Sequence, residues 1–469
     1  MRAMSRNGTT RECLTDYFRC PEEFARLEVR EGAAQGPGYF RFGADAVCFG
    51  RCLDRIPAAG PGQVLPDLVA GVKAGARAVQ LPFDPAEVVD NLRRELYTEE
   101  WRSGSSGLVA AIYYLIRPLL GVSVRKHLQK LHLRDWQKIA FPRWPLDCTV
   151  DELMRQLLLY CVEGSPEQRI PIIWFWPEGR PGCAVMTHDV ETEAGRDFCA
   201  NLAGVDAKYG IRGSYQVVPE ERYAVSPEFL ESLRAVGCEI AVHDLNHDGH
   251  LYKHRDQFLR RAERINSYLR EYRCEGFRAG VLYRKQIWFD ALKCAFDMSV
   301  PNVAHLDPQR GGCCTVMPYF IGELLEIPVT MTQDYSLFQI LNDYSIDLWK
   351  RQAEMVLARN GMMSFIVHPD YVTGAREMGV YERLLGYIEG LGREQNVWIT
   401  TPGEVNRWWR ERAAMRLVEK NGRWQIEGQG SERARLAWAT VECGRLEFEF
   451  DEDASPRMES PRTCATQPA

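Results

Sequence analysis

Ala184-Val185-Met186-Thr187-His188-Asp189-Val190-Glu191 passes from an apolar run into acid with no spacer between them. A short β-branched run that turns abruptly to charge is the pattern of a buried strand whose last residues emerge at the C-terminal edge of a sheet. In α/β folds chemistry collects at that edge. Further along, Val242-His243-Asp244-Leu245-Asn246-His247 ends a second apolar run in two histidines. Two carboxylates on one strand end and two imidazoles on another supply the oxygen and nitrogen ligands that a borderline cation such as zinc accepts, with one carboxylate left over as a base. Taken singly, each stretch is equally the pattern of polar loop residues beside a buried strand.

The chain around these stretches has one rhythm. From Ile172 to about Trp409 short apolar runs alternate with helical stretches, as β/α units do. Strands are expected over 184–187, 211–218, 239–243, 276–279, 325–330, 362–367 and 397–400. Between them, Ser226-Pro227-Glu228-Phe229 places a capping serine and an N1 proline ahead of a helix that Gly237 stops. Apolar residues recur at helical spacing from Phe258 to Tyr272, and Thr401-Pro402-Gly403-Glu404 is a capping box for the last helix. About seven strands interleaved with helices predict an α/β fold, a distorted or incomplete (β/α) barrel, over residues 172–416.

Composition divides the flanks. Residues 1–107 are rich in Gly and Pro and form a mixed, partly helical region of unread role, with one helix expected from Pro85 to Leu96. Residues 108–171 form a helical basic segment. Residues 417–450 alternate as short strands, a small β appendage, and 451–469 are rich in Ser, Pro and charge, the composition of a disordered tail.

At 469 residues, 53.7 kDa and 45% hydrophobic, the chain is too long for one simple domain and apolar enough to bury substantial cores. A net charge of -6 and a pI near 6.0 give no global attraction to nucleic acid, which is excluded as a partner. The first ten residues are polar, with no apolar core of an export signal, so a cytoplasmic location is expected. Fifteen cysteines without a repeated CxxC spacing argue for reduced thiols, Cys313-Cys314 being the one vicinal pair. Leu108 to Val122 is an apolar run broken by Arg117 and Pro118, followed by Arg125, Lys126, Lys130, Arg134, Lys138 and Arg143 against Asp135 alone. It is shorter than the roughly 20 residues a span needs, which leaves a buried helix followed by a solvated basic helix, or peripheral contact of residues 108–143 with the inner face of a membrane.

Five of the nine histidines fall between His188 and His254. The i, i+4 spacing of His243 and His247 brings their imidazoles to one side if the chain turns helically after its strand. Two further segments follow in order, Gly276-Phe277-Arg278-Ala279-Gly280 and Ser364-Phe365-Ile366-Val367-His368-Pro369-Asp370. In that order and spacing the chain resembles the polysaccharide deacetylase family, the NodB-homology fold of carbohydrate esterase family four, across residues 182–409, and within it the members found in polysaccharide biosynthesis systems.

The resemblance implies a role for each position. Thr187-His188-Asp189 matches the start of the family's first motif and makes Asp189 the catalytic base, with His188 at an aromatic position that packs or touches substrate. The family's second aspartate is replaced by Val190, and an acidic-x-acidic branch of the family makes Glu191 the carboxylate ligand. His243 and His247 match the two-histidine motif as metal ligands, Arg278 matches the arginine that orients the base, and His368 matches the acid that protonates the leaving amine. Asp297, in Phe296-Asp297-Met298-Ser299-Val300-Pro301, resembles a segment of biosynthetic deacetylases and is assigned with Arg310 to substrate binding. The family's proline after the arginine and its tryptophan motif are absent.

The function so implied is hydrolytic deacetylation of an N-acetylated sugar, an oligosaccharide or a lipid-linked sugar, using a divalent metal ion, zinc for this ligand set. Two other readings stay open: a metal-independent amidohydrolase of the same fold acting on a small cyclic amide, and a non-catalytic carbohydrate-binding component. A glycosidase built on Asp189 and Glu191 is disfavoured, because side chains two apart on one strand end cannot easily flank a glycosidic bond at roughly 5 to 9.5 Å.

Overall fold

The computed structural model describes residues 9–75, 78–98 and 135–450. Its centre is the strand Cys183–Val190, buried along its whole length. On one side it pairs in parallel with Met362–Ile366. Its other edge is shared: Trp398–Thr400 occupies Cys183 to Val185, and Ser214–Val217 takes over from Thr187 to Val190. The sheet continues through Glu239–His243, Gly276–Arg278, Phe296–Asp297 and Leu324–Glu326, all parallel, and ends on Tyr319–Ile321, which is antiparallel. Strands buried on both faces are near-continuous apolar runs, which is why they are legible in the sequence.

The sheet curls without closing as a ladder. The strand expected over 325–330 ends at Glu326, because Pro328 has no N–H to continue it. Irregular backbone then bridges the gap: Val329 N donates to Val300 O (3.0 Å), Met331 N to Ser364 O (3.3 Å) and Thr330 Oγ1 to Met362 O (2.7 Å). The result is the incomplete barrel that the strand count predicts. Phe296–Asp297 and Tyr319–Ile321 are strands of two and three residues, too short to show a period, and the sequence reading omits both.

Helices Glu193–Lys208, Pro227–Ala235, Arg255–Glu271, Asp347–Leu357, Ala375–Gln395 and Pro402–Ala414 join the strands. The caps are those the sequence encodes: Ser226 accepts from Phe229 N at 3.2 Å and Thr401 from Glu404 N at 3.4 Å.

Chain from both ends packs on one core beside the barrel. The strand Arg169–Ile173, which runs across the boundary drawn at residue 172, pairs antiparallel with Leu436–Glu442, and that strand pairs with Arg445–Phe450. Leu14, Phe18, Phe40 and Val88 share this core with Leu153 and Leu157 of helix Thr149–Glu163 and with Trp174, Phe175 and Trp176. The helix expected from Pro85 to Leu96 is present over Pro85–Arg93. The apolar run 108–122, most of the basic stretch after it and the tail 451–469 lie outside the described residues. Among the described residues no helix is long and apolar enough to cross a membrane, and no cysteine is in a disulfide; burial pushes the thiol pKa of Cys313 and Cys314 up.

Arg412 ties these parts together. Fully enclosed, it donates to Trp174 O (2.9 Å), Ile173 O (2.8 Å) and Tyr17 O (3.1 Å) and lies over the rings of Phe175 and Trp409. Removing the guanidinium leaves three buried carbonyls unpaired. Arg412→Ala is expected to cost about 3 kcal/mol of stability, read as a lower urea midpoint, with the metal content of the protein unchanged.

Candidate functional site

Along Cys183–Val190 the side chains alternate between the two faces of the sheet. Thr187 and Asp189 point into the curl, where they meet Arg278 at the end of the fourth parallel strand along the sheet. Arg278 Nη1 donates to Asp189 Oδ1 at 2.6 Å and to Thr187 Oγ1 at 2.8 Å, and its Nε donates to Met298 O at 3.0 Å. Both partners are out of solvent, Arg278 at 0% and Asp189 at 3% exposure. Burial alone drives the Asp189 pKa up, but nearby positive charge, that of Arg278 first, outweighs it and holds it below the ordinary carboxylate value. Asp189 is therefore ionised and held in place.

Val190 is buried in an apolar core with Val217 and Val242. Glu191, one residue on, turns its carboxylate to the imidazoles instead. Its Oε1 is 2.9 Å from His247 Nε2, 3.6 Å from His243 Nε2 and 3.5 Å from His368 Nε2. Burial opposes the charge of Glu191, yet His247 first, with the nearby imidazoles of His243 and His368, carries its pKa well below the usual range. His243 and His247 are not on a helical turn. Asp244 (φ 57°) and His247 (φ 53°) adopt left-handed backbone, and this bent loop brings the two rings to 4.9 Å.

Glu191, His243 and His247 offer donor atoms that all lie within 4.8 Å of one another. The chemistry of the set fits a divalent cation. His243 Nδ1 faces the carbonyl of Arg278 at 3.1 Å, which only accepts, so Nδ1 carries the proton and the lone pair of Nε2 points at the carboxylates. His243 Nε2 and His247 Nε2 are both buried without a hydrogen-bond partner. Two buried imidazole nitrogens without hydrogen-bond partners, beside an ionised carboxylate, are groups that could hold such an ion.

His368 stands on the far side of Glu191, at the end of Met362–Ile366. Asp334 grips it twice: Oδ1 is 2.7 Å from the ring Nδ1 and Oδ2 accepts from the backbone N at 2.8 Å. Burial disfavours the imidazolium, but Asp334 and then Glu191 raise its pKa well above the usual value, so it holds a proton to donate. Asp334 is absent from the sequence reading, because it lies 34 residues before its partner in a stretch with no motif.

Two assignments to substrate binding are corrected. His188 faces the other side of the strand and is fully buried, with Nδ1 3.0 Å from Val367 O and Nε2 2.9 Å from Asp206 Oδ2. Strand alternation puts it back to back with Asp189. Asp297 is also fully buried: it accepts from Ser299 N (2.9 Å) and Ser299 Oγ (2.8 Å), and Ser299 Oγ accepts from Ala279 N (2.8 Å). Asp297 therefore braces the turn whose Met298 carbonyl holds Arg278, and burial pushes its pKa up to about 6. Arg310 is half-buried in the loop with Asp307, whose charge acts on it, and no hydrogen bond joins it to the cluster.

No family model matches the chain, and no curated protein matches it. Solved structures do. One from Mycobacterium smegmatis, assigned as a polysaccharide deacetylase, is 17% identical with a TM-score of 0.42 and spans 51% of this chain and 93% of its own. An allantoinase is 15% identical with a TM-score of 0.38, spanning 50% and 92%. A family 4 carbohydrate esterase from Streptomyces lividans is 14% identical with a TM-score of 0.30, spanning 45% and 90%.

Protein dialysed against zinc is expected to retain about one ion per chain, measured by elemental mass spectrometry. His243→Ala and Glu191→Ala are both expected to lose it with their circular dichroism unchanged.

Proposed function

We propose that the protein hydrolyses the amide of an N-acetylated sugar, releasing acetate and a free amine, with Glu191, His243 and His247 holding a divalent ion, zinc for this donor set. The observation that supports this best is the division of labour between two carboxylates on one strand end. Glu191 lies within 3.6 Å of three imidazole nitrogens, whereas Asp189 is paired with Arg278 at 2.6 Å and has its nearest imidazole nitrogen, that of His243, at 3.8 Å. The sugar is the substrate class implied by the motif resemblance.

The chain's own groups then act in order. Asp189, ionised and fixed, takes a proton from the attacking water as its oxygen bonds the acetyl carbon. His368, charged by its contact with Asp334, gives its proton to the amide nitrogen as the carbon–nitrogen bond breaks, so acetate and amine leave. Arg278 keeps the base ionised before the reaction and, by fixing Thr187 as well, holds the strand end still. A divalent ion held by Glu191, His243 and His247 would supply polarisation of the carbonyl and a lower pKa for water.

Zinc-loaded protein is expected to release acetate from N-acetylglucosamine oligomers. Asp189→Asn is expected to lower kcat by about 100 to 10,000-fold with metal retained. No acetate from any acetamido sugar, with metal bound, overturns this reading.

The pH profile has a definite sign. Asp189 sits below its ordinary pKa because of Arg278, so Arg278→Gln lets burial dominate and moves the acidic limb of kcat/KM to higher pH. His368 sits above its ordinary pKa because of Asp334, so Asp334→Asn moves the alkaline limb to lower pH. Rate profiles of the two variants against wild type check both shifts.

A further inference from the structure

The N-terminal region, whose role the sequence leaves unread, reaches the candidate site through one side chain. Glu95 follows the helix Pro85–Arg93 and is buried against loops of the barrel. Its Oε2 accepts from Arg284 Nε at 2.7 Å, and its Oε1 pairs with Arg284 Nη2 and accepts from Gly312 N at 2.7 Å. The carboxylate has room because residue 311 is a glycine: a Cβ there would lie 2.5 Å from Glu95 Oε1, at a φ of 125° that glycine adopts freely. Neighbouring groups anchor the same end of the helix. Tyr97 Oη donates to Gly312 O (2.6 Å), and Arg93 O accepts from Gln286 Nε2 (2.9 Å) and from Tyr319 Oη (3.1 Å). Glu95 and Arg284 are 189 residues apart, and Glu95 lies outside the segment 182–409 that carries the family resemblance.

The third nitrogen of that guanidinium holds the turn that follows Arg278. Arg284 Nη1 donates to Leu282 O at 2.9 Å, and Gln309 clamps the Arg284 backbone, accepting from its N (2.9 Å) and donating to its O (3.0 Å). The turn Gly280–Leu282 needs holding. Val281 (φ 60°) and Leu282 (φ 52°) are both left-handed, and a β-branched residue in that region is a steric outlier. Such backbone persists where the surrounding contacts over-determine it. The turn also touches the cluster of Glu191, His243 and His247: Gly280 packs so closely that a Cβ on it would lie 2.8 Å from the His247 ring and 2.6 Å from Asp244 Oδ2. We infer that Glu95 is a positioning residue of this cluster: through Arg284 it keeps the left-handed turn closed on His247 and so holds that imidazole at Glu191. The inference rests on reading Glu191, His243 and His247 as metal ligands, and it makes the N-terminal region a working part of the site.

The test uses the full chain and two readouts: the Kd for zinc, by competition with a chromogenic chelator, and hydrogen exchange of the metal-free protein over residues 279–286, where Leu282 N donates to Ala279 O (3.3 Å) and Tyr283 N to Gly280 O (3.2 Å). Removing one member of a buried ion pair strands the other charge, so the main variant is Glu95→Gln with Arg284→Met, which removes both. It is expected to raise the zinc Kd about tenfold and to speed exchange over 279–286. Val281→Gly added to it takes the left-handed conformation without strain and recovers most of the zinc affinity. Arg284→Lys keeps a charge opposite Glu95 but lacks the fork that also reaches Leu282 O, so its Kd falls between wild type and the double variant. Arg412→Ala, destabilised elsewhere in the fold, keeps the wild-type Kd.

Wild-type zinc affinity in the double variant overturns the positioning role, and where that variant does not fold, wild-type affinity in Arg284→Lys does the same. An equal loss of affinity in Arg412→Ala overturns it by marking the effect as general destabilisation. A loss that Val281→Gly leaves untouched overturns it too, since strain in the turn is then not what Glu95 holds. Wild type that binds no zinc overturns the metal reading, and exchange then decides the hold on the turn: faster exchange confined to 279–286 upholds it, and unchanged exchange overturns it.

Discussion

A single buried ion pair organises the candidate site. Arg278 and Asp189 are brought together by strands 89 residues apart in sequence, and neither has appreciable solvent to fall back on. A carboxylate buried alone takes up a proton, and a guanidinium buried alone is costly, so each is tenable because of the other. Arg278 is fixed further by the carbonyl of Met298, which sits in the turn braced by Asp297 and Ser299. The backbone carbonyl of the same Arg278 faces His243 Nδ1 and sets which ring nitrogen is free. The ionisation of Asp189 and the tautomer of His243 thus both depend on one residue.

Two carboxylates two positions apart are given different tasks by their surroundings alone. Asp189 is held by a permanent cation at 2.6 Å. Glu191 is partly exposed, at 23% of its side chain, and is met by imidazoles whose free nitrogens have no other partner. His368 shares that carboxylate at longer range but is claimed by Asp334, so it keeps its proton where His243 presents a lone pair. Environment, more than residue type, separates the charge states of Asp189, Glu191 and His368.

The barrel itself is closed by backbone and hydroxyl hydrogen bonds around Pro328 instead of a full ladder, which leaves irregular chain at the mouth. Asp334 comes from that irregular chain. Away from the mouth, Arg412 joins the first helix, the strand Arg169–Ile173 and the last helix of the barrel by donating to carbonyls alone. Terminal segments that a composition reading separates are therefore packed on one core with the barrel's underside.

By itself the sequence determined the α/β class, the main strands and the helix caps. It also marked Asp189, Glu191 and His243 where apolar runs turn polar, and the order and spacing of four segments, through the family they resemble, added His247, Arg278 and His368. Those signals are local: a buried parallel strand must be apolar along its length, and its polar end must be written in adjacent residues. Only the tertiary structure decided what each of them faces. The face taken by His188 follows from strand alternation, yet which face is the cleft depends on how the sheet curls. Asp297 is internal because a two-residue strand carries it beneath Arg278, and Asp334 meets His368 across a gap that no period in the sequence encodes. Pairing, burial and the direction of a lone pair are set by chain segments far apart in sequence, and so they appear only once the sheet is folded.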